Sequence, residues 1–204
     1  MSATSPQLIT KAVPLLRKHG ALVRFSEALK LGIHRDTLRA MRDQGLLEQV
    51  SRGLYRLAGR EPLEQPDLVT VSRRVPGAVV CLVSALSLHE LTTQIPHAVD
   101  IAVKQGRRRP HIEYPPIRVY WWSVAALRDG VETRKLGGIE VLVTNPERSV
   151  ADAFRYRHKL GVELAVEALR AWKERRGARP ESLLAAARTV RVEKVIRPYL
   201  EALL

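Results

Sequence analysis

The sequence predicts an α+β protein: an N-terminal winged helix-turn-helix followed by an α+β domain with an antiparallel or mixed sheet and C-terminal helices. Three observations carry this. Within Ala21–Leu57, two helical patterns meet at Gly32 and run into two short apolar runs around a Ser51-Arg52-Gly53 turn. A stretch rich in proline, glycine and acidic residues follows, Ala58–Pro66 (AGREPLEQP), with the signature of a linker. Beyond it, strand-like runs give way from Asn145 onward to helical periodicity. The chain therefore divides into a winged-helix domain, residues 1–60, a linker, 61–66, and a second domain, 67–204.

Residues 1–6 are small and polar and are expected to fray. Gln7–Lys18 places Leu8, Ala12, Leu15 and Leu16 on one face of a first helix, which Pro14 would bend and His19-Gly20 would end. Ser26–Leu31 would turn Ala28, Leu29 and Leu31 to the core. Gly32 lets the backbone take a positive φ that a side chain would resist. A second helix, Arg35–Gln44, buries Leu38 and Met41. Its cap would be Ile33 or His34, neither a strong one, and Gly45 would end it. Leu46, Leu47 and Val50 pair with Leu54, Tyr55 and Leu57 as a hairpin, the wing.

The opposite face of that second helix carries Arg35, Arg39 and Arg42, four and three residues apart on one stripe, with Thr37 flanking it. In a helix-turn-helix the N-terminal end of this helix enters the major groove. Arginine suits it, because its planar fork holds guanine O6 and N7 together or grips a phosphate. Arg52 at the wing tip is placed for a phosphate or the minor groove. The plain alternative is a solvated helix face, paired in part with Asp36 and Asp43. The turn glycine, the wing and the surrounding charge favour DNA.

In the second domain, Asp67–Arg74 reads as a helix capped by Asp67, and Ala78–Val83 as a buried strand. Ser84 would cap a helix over Ala85–Leu91, and Ala98–Lys104 alternates as a strand. Gly106–Pro110 (GRRRP) is a basic loop, and Ile117–Trp122 a further strand. Val131–Leu136 and Ile139–Val143 flank Gly137-Gly138, a two-residue hairpin signal. Asn145 as cap and Pro146 as first helical residue open the helical block. Helices follow over the apolar face from Val162 to Trp172, over Ser182–Val190 and over Val192–Leu203, the last kinked or split by Pro198.

The chain of 204 residues carries a formal net charge of +13, with 34 Lys/Arg against 21 Asp/Glu. Residues 1–60 hold eleven Lys/Arg and four Asp/Glu, a net +7; the other 144 hold 23 and 17, a net +6. The charge is densest where the DNA-binding pattern lies, and such a field attracts nucleic acid or acidic proteins. Cys81 is the only cysteine, so no internal disulfide exists, which suits a reducing cytoplasm. Within its apolar run it reads as a buried, inert thiol. No apolar stretch approaches the roughly 18 residues of a membrane span, and MSATSPQLITK lacks the apolar core of a signal peptide.

Catalytic signals are weak. GxxxxGK[ST] and GxGxxG are both absent, so no known phosphate cradle or cofactor site is expected. The six histidines show no metal-ligand spacing, and His89-Glu90 point apart on a helix. Asp100 with Lys104 is faintly similar to metal-dependent nucleases, but Ala102 stands where the second carboxylate should be. Beside the arginine loop, the aromatic cluster Tyr114, Tyr120, Trp121 and Trp122 could stack single-stranded nucleic acid, but Tyr120 and Trp122 alternate on one strand face and the aromatics read as core. Arg107, Arg108 and Arg109 remain open between solvated loop, phosphate contact and protein contact.

The run LGIHRDTLRAMRDQGLLEQVSRGLYRL resembles the start of AbiEi-type antitoxins, the transcriptional-regulator half of type IV abortive-infection toxin–antitoxin pairs. VLVTNPERSVADAF, Val141 to Phe154, is similar to their second domain, as are the GRRRP loop and the terminal helices. Within that run Arg148 and Asp152 lie one helical turn apart and read as a structural ion pair. The resemblance implies a non-enzymatic antitoxin that binds promoter inverted repeats in double-stranded DNA and represses its own operon. It implies a second domain that counters a nucleotidyltransferase-like toxin, with or without a stable complex. It carries the DNA-binding role to Arg35, Thr37, Arg39 and Arg42, to Ser51 and Arg52 on the wing, and more weakly to His34. Two rival classes stay open: an effector-sensing winged-helix transcription factor and a DNA-targeted nuclease.

Overall fold

The computed structural model describes residues 6–20, 22–59 and 64–203, with Ser51 described for its backbone only. Residues 1–5 of the N-terminal stretch and 61–63 of the linker, both singled out above, lie outside the described residues. The chain divides into two compact units, Met1–Thr70 with Lys135–Glu140, and Val71–Arg134 with Val141–Leu204.

The first unit opens with α1 (Pro6–His19), β1 (Val23–Arg24), α2 (Phe25–Lys30) and α3 (Arg35–Asp43). The strands β2 (Leu47–Ser51) and β3 (Leu54–Leu57) then form the wing. β1 joins the edge of β3, giving a three-stranded sheet in the order β1-β3-β2. The core is Ile9, Ala12 and Leu16 of α1, Ala28 of α2, Ile33, and Leu38 and Met41 of α3, closed by Leu47 and Leu57. Two expected core faces need correction. Leu8 and Leu15 are exposed and Ile9 replaces them, and Leu29 is exposed while Ala28 is buried. Helix positions advance by about 100° each, so a short helix can turn by one residue and exchange its apolar neighbours. Leu46 is likewise exposed, and the wing pairs from Leu47.

The second unit begins within α4 (Pro66–Arg74) and continues with β4 (Val79–Val80), α5 (Leu82–Leu88) and β5 (Val99–Lys104). β6 (Ile117–Trp122), β7 (Val131–Leu136) and β8 (Ile139–Thr144) follow. The helices are α6 (Pro146–Arg155), α7 (Arg157–Leu160), α8 (Val162–Lys173), α9 (Pro180–Thr189) and α10 (Glu193–Glu201). The five-stranded sheet runs β6-β5-β4-β8-β7 and is mixed: β4 lies antiparallel to β5 and parallel to β8, and β5 is parallel to β6. The helical core gathers Val150 and Phe154 of α6 with Leu164, Leu169 and Trp172 of α8, Leu183 of α9, and Ile196 and Leu200 of α10.

Several expectations fail here for local reasons. The apolar run 78–83 is a strand only at Val79–Val80, because Leu82 already begins α5. Asp67 is not the cap of α4, since that helix starts at Pro66. Ser84 does not cap α5, where Cys81 holds the cap position. Instead its hydroxyl accepts the Asp100 amide at 2.9 Å and donates to the Ala98 carbonyl at 3.4 Å. β5 does not alternate: Val99 through Val103 are all buried, so both faces of this interior strand are covered. α10 runs through Pro198 unbroken, although proline has no N–H to offer the Lys194 carbonyl.

Candidate nucleic-acid interface

The first unit presents α3 by its apolar face. Leu38 and Met41 are buried, and this fixes the rotation of the helix. Arg35 and Arg39 then keep about three quarters of their side-chain surface in solvent, 75% and 76%, and Arg42 keeps 43%. The stripe read from spacing therefore exists as an exposed row. Thr37 does not flank it: at 3% exposure it lies with the core and helps seat the helix. His34 is the cap, its Nδ1 accepting the Asp36 amide at a long 3.4 Å. Ile33 is buried in the core instead.

The arginines are not bare. Arg42 Nη2 donates to Asp43 Oδ1 at 2.9 Å. Arg39 Nε stands 3.9 Å from Asp43 Oδ2, and Arg35 Nε 3.9 Å from Asp36 Oδ1. Solvent-exposed pairs of this kind are worth about 0–1 kcal/mol. A phosphate or a guanine edge can displace them at small cost.

The three arginines line a surface cleft of about 400 Å³ together with Phe25, Asp36, Leu38 and Tyr55. Phe25 and Tyr55 were not among the residues expected from the sequence. Phe25 donates its amide to the Gly53 carbonyl at 2.9 Å, which ties the wing turn to the start of α2. Tyr55 lies on β3 opposite Val23 and Gln49. Arg52 is exposed in the turn between β2 and β3. The Ser51 side chain lies outside what is described. Behind the tip, Arg56 Nε donates to Glu48 Oε2 at 3.0 Å and braces the two strands.

The second unit holds the other sequence candidates. Arg107, Arg108 and Arg109 are exposed in the loop between β5 and β6. Arg107 Nη1 donates to the Pro76 carbonyl at 3.0 Å. Trp122 is buried, and Tyr120 packs edge-on against Tyr156 with ring centroids 5.4 Å apart. Tyr114 and Trp121 are instead exposed. His89 is buried, with Nε2 2.7 Å from the Thr144 carbonyl, and burial lowers its pKa. Cys81 is fully buried, and burial pushes its thiol well up.

Asp100 is fully buried beside Arg118, at 3.7 Å. Burial raises its pKa to about 6 against the opposing pull of Arg118 and of the Ser84 and Val83 amides. The Ser84 and Val83 amides and the Tyr120 hydroxyl approach the carboxylate closely enough to pull on it, but none closes a well-formed hydrogen bond to either oxygen among the described residues. Lys104, at the strand end, is exposed. Arg148 and Asp152 do form the expected ion pair, Nε to Oδ2 at 3.0 Å, with both side chains buried. Among the described residues, no three His, Cys, Asp or Glu side chains gather so as to hold a metal ion. None of the described helices is long and apolar enough to cross a membrane.

A helix presented by its apolar face beneath a two-stranded wing, with an arginine row turned outward, defines a winged helix-turn-helix of the nucleic-acid-reading class. Residues 11–58 match the AbiEi_4 family, described as "Transcriptional regulator, AbiEi antitoxin", so this segment is similar to the AbiEi antitoxin regulators. The match runs from within α1 through the wing and ends there. No curated protein matches the chain. Among solved structures, the chain is similar to the crystal structure of RV2827C protein from Mycobacterium tuberculosis, with a TM-score of 0.54 and 15% identity. That likeness covers 98% of this chain and 83% of that one, and it concerns the fold.

Proposed function

We propose that this chain is the antitoxin of a type IV toxin–antitoxin pair and represses its own operon. Residues 1–60 bind inverted repeats in the promoter, and residues 67–204 counter a nucleotidyltransferase-like toxin. It acts in the cytoplasm and has no catalytic step. The observation that carries this reading is the exposed row Arg35, Arg39 and Arg42 on α3, beside the wing, inside the segment that matches the antitoxin regulators. The role of the second unit rests on the resemblance of Val141–Phe154 and the GRRRP loop.

Two readouts in cells test it: a reporter behind the upstream promoter, and growth while the neighbouring toxin gene is expressed. Full-length Arg35→Ala/Arg39→Ala should lose repression and still rescue growth. Residues 67–204 should rescue growth without repressing. If 67–204 is folded and fails while 1–60 alone rescues, repression is the whole function and the assignment of the second unit is wrong.

A further inference from the structure

The second unit contains a cleft of about 400 Å³ that the DNA reading does not use. Volumes of this size are typical of small-molecule sites, which run to about 300–1,000 Å³. Three arginines line it, Arg148, Arg155 and Arg191, against two aspartates, Asp129 and Asp152. Arg148 is engaged within the fold. Its Nε bonds Asp152, its Nη1 donates to the Asp129 carbonyl at 2.6 Å, and its guanidinium lies 4.9 Å from the centre of the Trp122 ring. Arg155 is anchored by one nitrogen, Nη1 to the Val190 carbonyl at 3.0 Å, yet remains exposed. Arg191 is exposed too, and its backbone sits at φ 60°, a conformation that a non-glycine residue resists.

Two further observations point to a ligand. Asp152 is among the residues lining this cleft, and its Oδ1 is buried with no hydrogen-bond partner among the described residues. An unmet buried acceptor is costly, and a donor from a bound molecule would satisfy it. On the rim, Trp121 is 45% exposed, and its Nε1 is held by the Arg107 carbonyl at 3.0 Å. That bond fixes the orientation of a large exposed π-face beside the arginine loop.

From these we infer that the cleft binds a nucleotide, its base stacked on Trp121, its phosphates held by Arg155 and Arg191, and an N–H or O–H of the ligand given to Asp152 Oδ1. The ligand must be anionic, must offer a flat ring and must carry a donor. A sugar phosphate lacks the ring and an aromatic amine lacks the anion; a nucleotide has all three. Its source is either a free nucleoside triphosphate or a residue of single-stranded RNA, since both present the same chemistry.

The experiment titrates the full-length protein by calorimetry with ATP, GTP, CTP and UTP, with inorganic triphosphate, and with 5′-phosphorylated decauridylate. Trp121→Ala and Arg191→Gly are measured alongside. Glycine tolerates the backbone at 191, so that variant removes the cation without straining the turn. At least one nucleoside triphosphate or the decamer should bind saturably. Each variant should weaken binding about fivefold or more at unchanged melting temperature, as the loss of a base–aromatic stack does. Arg35→Ala/Arg39→Ala should leave it unchanged. Binding of triphosphates alone identifies a free nucleotide as the source, and binding of the decamer identifies RNA. The inference is overturned if neither binds, if inorganic triphosphate binds as well as the nucleotides, if both cleft variants bind like wild type, or if the α3 variant abolishes binding.

Discussion

Arg148 and Asp152 face each other across one turn of α6, Nε to Oδ2 at 3.0 Å, with almost no contact with water. Removing one partner from a buried pair leaves the other charge uncompensated, which costs about 3–5 kcal/mol. Asp152→Ala should therefore lower unfolding stability by about that amount, measured by urea titration of the full chain. Asp152→Asn keeps an acceptor for the guanidinium and should cost less.

Asp152 and Asp100 also set a pH dependence. Burial pushes each carboxyl up to about 6, in both cases overcoming an arginine that pulls it down. In the unfolded chain an aspartate titrates near 3.9. The folded state therefore takes up protons between about pH 6 and pH 4 while the unfolded state does not. The stability contribution of these groups is fully present below about pH 4 and is lost as pH rises through about 6. His89, with its pKa lowered by burial, works the other way: its contribution is present above the ordinary histidine range and is lost as pH falls below it. NMR separates these groups, the carboxyl carbons reporting the aspartates and the ring carbons the histidine. Both aspartates should titrate near pH 6, and titration below pH 4 would contradict the burial account.

Gly130 should not tolerate a side chain. Its φ is +66°, and a Cβ there would stand 2.8 Å from Cβ of Arg148. Its carbonyl also accepts the Asn145 amide at 2.8 Å, so the backbone has little room to shift. Gly130→Ala should destabilise by more than about 1 kcal/mol, through backbone strain and overpacking together. Thermal melting of the variant checks this.

These cases show how far the sequence reaches. The start of α6 was legible because Asn145 and Pro146 act within one turn: the Asn145 side chain accepts the Arg148 amide at 2.9 Å. The β7–β8 hairpin was legible because both Gly137 and Gly138 take positive φ, as a tight turn between such strands requires. The rotation of short helices was not, since Ala28 and Leu29 are both apolar and only tertiary packing decides which of them enters the core. Thr37 failed for a related reason, because its neighbour Leu38 fixes the helix and turns Thr37 inward as well. Ala78–Val83 could not be divided between strand and helix, because a continuous apolar run has no period. In the candidate interface, the exposed arginine row followed from spacing. Phe25 and Tyr55 did not, since only folding brings them to α3.

In the function proposed above, α3 reads duplex DNA with its arginine row. Fluorescence anisotropy of the full-length protein on a labelled duplex from its own promoter, across a salt series, tests it most directly. Affinity should fall as salt rises, with a log–log slope of roughly −0.9 per phosphate neutralised. Arg39→Ala should cost about 1–3 kcal/mol and relax preference at one base position. Binding that ignores salt, or that survives Arg35→Ala/Arg39→Ala undiminished, would contradict the account.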